Sequence, residues 1–120
     1  MKVVYIAGAF RGATPWDVAE NVRNAERYAL SVARLGAMPL CPHANTQHFD
    51  GQCTAQFWID GTLELLRRCD AMVLVPGWEN SVGTKGEIAY CESVGLPVFH
   101  PTSANHAELC WVPFELWVRG

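Results

Sequence analysis

The stretch DAMVLVPGWENSVGTKGE, residues 70–87, decides the fold of this chain. Its apolar part, AMVLV, is typical of a strand that is buried on both faces of a sheet. A proline and several glycines follow at once, and a helix is expected over residues 84–94. A strand that leads through a turn into a helix is the repeating unit of a parallel α/β sheet.

The same unit occurs earlier in the chain. KVVYIAG (2–8) predicts a strand, and TPWDVAENVRNAERYALSVARLG (14–36) predicts a helix capped by Thr14. Further predictions are a short strand in AMPLC (37–41), a loop in PHANTQHFDGQC (42–53), a helix in AQFWIDGTLELLRRC (55–69) and a strand in LPVFH (96–100). Right-handed crossovers then give a parallel sheet with helices on both faces, in a single domain spanning residues 1–120.

Composition limits the classes of partner. The formal net charge is −3 and no basic run is present, so a nucleic-acid duplex is not an expected partner. The 5 cysteines are an odd number and widely spaced, which favours buried free thiols in a reducing cytoplasm. No apolar run reaches the roughly 18 residues that a membrane span requires. We expect a cytoplasmic protein that binds a small molecule.

Two glycine-rich turns follow predicted strands, AGAFRG (7–12) and PGWENSVGTKGE (76–87). In a 2-1-3-4 strand order they are neighbours at the carboxyl edge of the sheet, where open α/β sheets bind ligands. Glycine lets the backbone approach a ligand, and helix N-termini favour an anion. Neither turn matches the Walker loop or the dinucleotide fingerprint. The binding candidates in these turns are Gly8, Arg11, Gly12, Gly77, Asn80, Ser81 and Gly83.

Three segments together resemble a known superfamily: YIAGAFRG (5–12), FWIDGTLELLRRCDAMVLV (57–75) and SVGTKGEIAY (81–90). The sequence is similar to nucleoside 2-deoxyribosyltransferases and 2-deoxynucleoside 5-phosphate N-hydrolases, including small phage and bacterial relatives of unassigned activity. The resemblance implies a flavodoxin-like (Rossmann-like) sheet of four to five strands. It also implies Glu87 as nucleophile, Asp60 as the acid that assists base departure, Tyr5 beside the nucleophile, and Arg11 and Ser81 as holders of a 5-phosphate.

The chemistry of N-glycosidic cleavage is consistent with such residues. Breaking the bond places positive charge on the sugar and negative charge on the base, so a carboxylate beside the ring and a proton donor near the base are needed. The predicted function is cleavage or transfer of this bond on a nucleoside or nucleoside 5-monophosphate. The carboxylates handle the leaving group, and we expect no metal or organic cofactor. Asn80 and Ser81, where the transferases place an aspartate, favour a phosphorylated ligand.

Each site residue also has a purely structural interpretation. Thr84 and Glu87 fit a capping box, in which Glu87 bonds back to the Thr84 amide. Asp60 fits an exposed helix acid, Tyr5 a core aromatic and Ser81 a turn former, and Arg11 likewise fits a solvated loop cation.

Thiols and imidazoles also cluster in the loop over residues 41–53. Cys41, His43, His48 and Cys53 invite a zinc interpretation, but their spacing fits no standard zinc pattern. We instead expect a loop that covers the ligand, with His43, Asn45 or His48 touching the base.

Two other functions are compatible with the sequence. PGWENSVGTKGE resembles the PGGxGTxxE loop of cytokinin-activating phosphoribohydrolases, and the fold also suits a non-catalytic nucleotide sensor. The tail CWVPFELWV (110–118) is rich in aromatic residues. We expect it to be buried against a second subunit in a homo-oligomer, a dimer or tetramer, with the alternative that it folds into its own core.

Overall fold

The computed structural model describes residues 1–101 and 110–120. Its centre is a parallel sheet of four strands in the order β2-β1-β3-β4. The strands are β1 (Val3–Ala7), β2 (Met38–Leu40), β3 (Ala71–Leu74) and β4 (Val98–Phe99). The helices are α1 (Pro15–Arg34), α2 (Pro42–Asn45), α3 (Ala55–Arg67), α4 (Val82–Val94) and α5 (Val112–Arg119). The α/β class, the parallel sheet and the predicted strand order are confirmed.

Helix α1 begins where its sequence signals place it. The Thr14 side chain accepts a hydrogen bond from the Asp17 amide at 3.2 Å, and Pro15 occupies the first turn, where no amide is required. The apolar stripe of α1 then buries Val22, Ala25 and Val32 against the sheet. The predicted loop over residues 42–53 contains one short helix, α2, which begins at a proline.

The α1 face of the sheet also carries α5, which corrects one prediction. Phe114 is 1% exposed and packs among the buried residues of this face, with Trp111 and Trp117 against it. Lys2 donates to the Trp117 carbonyl and, at 3.2 Å, to the Val118 carbonyl, which ties α5 to the start of β1. The tail therefore packs into the core of its own chain. The prediction that it is buried against a second subunit is wrong, and the tail gives no reason to expect an oligomer. The oligomer stays a prediction, and residues 102–109, which include the SANH segment, lie outside the described residues.

The other face is covered by α3 and α4. Tyr5, Met72 and Leu74 on the sheet pack there against Leu66 of α3 and Cys91 of α4. These strand residues are next to the predicted ligand edge, so this face positions the site described below. Within residues 1–101 and 110–120, no helix is long and apolar enough to cross a membrane.

Candidate active site

A tyrosine and a glutamate meet at the carboxyl edge of the sheet. Tyr5 lies at the centre of β1 and is 2% exposed, and its hydroxyl donates to Glu87 Oε2. Glu87 lies in the second turn of α4, the helix that follows β3. The two residues are 82 positions apart in sequence, and the adjacency of β1 and β3 in the sheet brings them together.

Burial determines how this pair ionises. It raises the pKa of the Glu87 carboxyl, and the hydrogen bond from Tyr5 acts in the opposite direction by stabilising the carboxylate. The pKa of Tyr5 lies far above its usual value, first because of burial and then because of the charge on Glu87. The phenol therefore remains protonated and serves as a fixed hydrogen-bond donor to the carboxylate.

The capping-box interpretation of Glu87 is wrong, because α4 begins earlier than the sequence predicts. Ser81 is the cap: its Oγ accepts from the Thr84 amide at 3.1 Å and from the Thr84 hydroxyl at 3.0 Å. The Thr84 amide is thus already satisfied, and Glu87 lies beyond the first turn of the helix. Its carboxylate is free to bond with Tyr5. Gly83 lies in the exposed first turn of the same helix.

The structure does not bring Asp60 to this pair. Asp60 is exposed on α3 and accepts a hydrogen bond from Gln56 at 2.8 Å. Thr62, two residues further along α3, lies close enough to the Tyr5 phenol to lower the Tyr5 pKa, and its hydroxyl donates to the Ile59 carbonyl at 3.1 Å. Residues two positions apart in an α-helix point roughly 200° apart, so Thr62 and Asp60 project from different sides of α3. Sequence reasoning missed Thr62, although its spacing of four from the apolar Leu66 is the signal for a buried helix face.

A cavity of about 400 Å³ lies on the same face of the sheet, lined by Leu40, Cys41, Ala44, Asn45 and Leu65. Leu40 is the register partner of Tyr5 on the neighbouring strand, and Leu65 packs in the same apolar cluster as Tyr5. The walls are mostly apolar, and the Asn45 amide supplies both a donor and an acceptor. Asn45, a predicted binding residue, therefore lines a cavity whose walls include two residues adjacent to Tyr5.

His43 hydrogen-bonds to the turn that follows β1. His43 is 7% exposed, and its Nε2 lies 3.0 Å from the Gly8 carbonyl and 3.1 Å from the Ala9 carbonyl. Burial lowers the pKa of His43, and these two hydrogen bonds oppose that effect. The imidazole also packs edge-on against Phe10, with ring centroids 5.9 Å apart. His43 thus contacts the turn, and the contact of His43, Asn45 or His48 with a base stays a prediction.

A second cavity, of about 210 Å³, lies between the two glycine-rich turns on the α1 side. It gathers three predicted binding residues, Arg11, Gly77 and Asn80, together with Ala9, Asn21, Asn24, Val75 and Pro76. The Arg11 side chain is 75% exposed, and its guanidinium lies 3.7 Å from the Asp50 carboxylate. Such an exposed pair is weakly held, so Arg11 is available to an anion.

Two glycines in these turns are required for structural reasons. A Cβ at Gly8 would lie 2.9 Å from Cβ of Val75, so the β1 and β3 turns approach more closely than another residue allows. Gly77 has φ of +91°, a conformation that side chains with a Cβ disfavour. A third, Gly12, packs against Asp17 at the start of α1. These residues fix the shape of the edge at which the predicted ligand binds.

The cysteines are only partly as predicted. Cys69 and Cys91 are buried, whereas Cys53 and Cys110 are exposed and Cys41 is intermediate, so the expectation of buried thiols is wrong for the exposed two. Across the part of the chain that the structure describes, no group of three or more metal-ligating side chains comes together.

Comparison with solved structures gives the class of this fold. A 2-desoxiribosyltransferase from Leishmania mexicana matches with a TM-score of 0.58 and 22% identity, over 83% of this chain and 63% of that chain. A 2-deoxyribosyltransferase from Bacillus psychrosaccharolyticus matches with a TM-score of 0.60 and 22% identity, over 84% of this chain and 74% of that chain. This chain thus spans less than two thirds of the Leishmania protein and shares its fold.

The sequence comparison then gives the family. The chain belongs to the family described as Domain of unknown function (DUF7768), whose model matches residues 2–100. A search of curated proteins finds no significant match. The matched range contains every residue of the candidate site, from Tyr5 to Glu87.

Proposed function

We propose that this protein cleaves or transfers the N-glycosidic bond of a nucleoside or nucleoside 5-monophosphate, with Glu87 as the nucleophile. The observation that carries the proposal is the hydrogen bond from the buried Tyr5 hydroxyl to the half-buried Glu87 carboxylate. A carboxylate that is oriented by one donor and partly removed from water suits attack on an electron-poor sugar carbon. The shared fold with 2-deoxyribosyltransferases supports the same reaction class.

The proposed step is a displacement at the anomeric carbon. A Glu87 carboxylate oxygen forms a bond to this carbon, the bond to the base nitrogen breaks, and its electron pair leaves with the base. Water, or the N–H nitrogen of a second base, then attacks the same carbon, the bond to Glu87 breaks and restores its carboxylate, and the proton lost by the attacking group neutralises the departed base anion. Tyr5 keeps the carboxylate oriented by donating to Oε2.

The departing base is proposed to occupy the cavity lined by Leu40, Cys41, Ala44, Asn45 and Leu65. Apolar walls suit the faces of a heteroaromatic ring, and the Asn45 amide suits its polar edge. We leave Asp60 without a role in base departure, because its carboxylate is exposed and bonded to Gln56. The side-chain amide of Asn45 donates to the leaving base and stabilises part of its negative charge.

The test is incubation of the protein with deoxyribonucleosides, ribonucleosides and their 5-monophosphates, followed by chromatography for free base. Glu87→Gln serves as the matched control, because glutamine keeps the size of the side chain and still accepts from the Tyr5 hydroxyl. We expect base release by the native chain and a loss of several orders of magnitude in the variant.

The substrate panel also separates the competing functions. Release from ribonucleotides alone would indicate a phosphoribohydrolase, and binding without base release would indicate a nucleotide sensor. Near-normal turnover by Glu87→Gln would remove Glu87 as the nucleophile.

A further inference from the structure

The turn that leaves β1 is held by two side chains from other elements. The carbonyls of residues 8 and 9 lie 3.0 and 3.1 Å from Nε2 of His43. The carbonyls of residues 10 and 11 both accept from Nδ2 of Asn21, each at 3.1 Å. Four consecutive carbonyls are therefore bonded to only two side chains, one from α2 and one from α1.

This arrangement fixes the direction of the amides in the same turn. The peptides are trans, so each N–H points opposite to the carbonyl that precedes it. The amides of residues 9–12 therefore point away from His43 and Asn21. Over residues 1–101 and 110–120, none of these four amides donates a hydrogen bond within the protein. Oriented, unpaired amides are the groups with which backbone nests bind anions.

The surroundings of the turn are suited to an anion. Ala9, Arg11 and Asn21 line the cavity of about 210 Å³, and the Arg11 guanidinium is exposed beside it. We propose that His43 and Asn21 are positioning residues, which hold the peptide planes of residues 8–11 so that the amides of residues 9–12 donate to a phosphate monoester of the substrate. The inference rests on the proposed function for the identity of the substrate.

The hydrogen bonds of His43 imply one tautomer. Carbonyl oxygens only accept, so Nε2 carries the proton, and Nδ1 does not. Nδ1 is buried and has no hydrogen-bond partner among the described residues, and burial lowers the His43 pKa. A neutral imidazole with its proton on Nε2 is thus the form that holds the turn. Its ¹⁵N shifts are a direct signature of this role.

The experiment compares two substitutions on α1. Asn21→Asp replaces the donating amide with a carboxylate, which repels the carbonyls of residues 10 and 11. Asn24→Asp is the matched control. Asn24 lines the same cavity, and the substitution introduces the same charge there, but the Asn24 side chain accepts from Arg27 at 2.9 Å and holds no carbonyl of the turn. The control therefore measures the effect of charge alone.

The probe is inorganic phosphate, titrated into ¹⁵N-labelled protein, with the amide shifts of residues 9–12 as the readout. We expect saturable shifts in the native chain, affinity about tenfold or more lower in Asn21→Asp, and about threefold or less lower in Asn24→Asp. An absence of shifts at these amides, or equal losses in the two variants, would overturn the inference.

A second pair of variants covers the case in which Asn21→Asp does not fold. His43→Gln retains an N–H donor and should keep most of the phosphate affinity, whereas His43→Phe retains a ring but no donor and should lose about tenfold. Equal affinities in these two, or a proton on Nδ1 in the native protein, would contradict the role of His43. Because the titration needs no turnover, phosphate binding without base release would refute the proposed function and leave the anion site standing.

Discussion

Tyr5→Phe tests the central pair most directly. The substitution removes the hydroxyl that donates to Glu87 Oε2 and leaves the ring, which fills the same space in the buried cluster. A hydrogen bond to a charged group contributes about 1.5–3 kcal/mol. Without this hydrogen bond the carboxylate form of Glu87 is less stable, and the Glu87 pKa, which burial already raises, should rise further.

The pH–rate profile reports this loss. A nucleophilic Glu87 must be ionised, so activity rises as pH increases through the Glu87 pKa. About 1.4 kcal/mol corresponds to one pH unit, and Tyr5→Phe should move this limb to higher pH by about one to two units. The assay is kcat/KM for base release against pH, with the ¹³C shift of the Glu87 carboxyl as a measurement independent of turnover.

The free energy of unfolding of Tyr5→Phe, relative to the native chain, should also depend on pH. Glu87 has a raised pKa in the folded state, so its contribution to stability is present below the unfolded pKa and is lost as pH rises through the folded one. Removing the Tyr5 donor increases that loss, and the variant should be more destabilised at about pH 8 than at about pH 4. Tyr90→Phe is the control, because Tyr90 packs against the same cluster without contacting Glu87 through its hydroxyl. An unshifted carboxyl titration in Tyr5→Phe would refute the reasoning.

Three further predictions concern Asp60, Arg11 and Phe114. Asp60→Asn should keep turnover within about threefold, because Asp60 is exposed and accepts its hydrogen bond from Gln56; a loss as large as that of Glu87→Gln would restore its role in base departure. Arg11→Ala should weaken binding of a nucleoside 5-monophosphate by roughly 1–3 kcal/mol and leave the nucleoside unchanged, as calorimetry with both ligands would show. Phe114→Ala should destabilise the chain by about 3–5 kcal/mol in denaturant unfolding, because its ring is buried between α5 and the sheet. Leu116→Ala, at a side chain 61% exposed on the same helix, is the control, and a similar loss there would argue against the packing of α5.

Local signals in the sequence were sufficient for the elements and their order. Four residues of the apolar run AMVLV, Ala71–Leu74, form a strand buried at every position, and Thr14 and Pro15 begin α1 as predicted. Alternating strands and helices predicted a parallel sheet, because a crossover helix has one favoured hand. The start of α4 was misjudged, since Ser81 and Thr84 are both good caps and only the observed hydrogen bonds decide between them.

The tail shows where local signals are insufficient. Its aromatic residues predicted burial, which is correct, but the same pattern suits a partner surface and the protein's own core. The packing of Phe114 against the α1 face decided for the core. The hydrophobic effect favours removal of a side chain from water, but it is non-directional. It therefore does not determine which apolar surface the side chain packs against.

For the site, the sequence by itself determined which residues can carry chemistry, and the resemblance singled out Tyr5 and Glu87. Only the tertiary structure decided that Tyr5 bonds to Glu87, that Asp60 accepts from Gln56, and that His43 holds the turn after β1. These contacts join residues from separate elements, and they depend on strand adjacency and on the rotation of each helix about its axis. Successive residues are about 100° apart around a helix axis. Rotating α3 by that angle would place a residue next to Thr62 in sequence beside Tyr5, and the packing of α3 against the sheet sets this rotation.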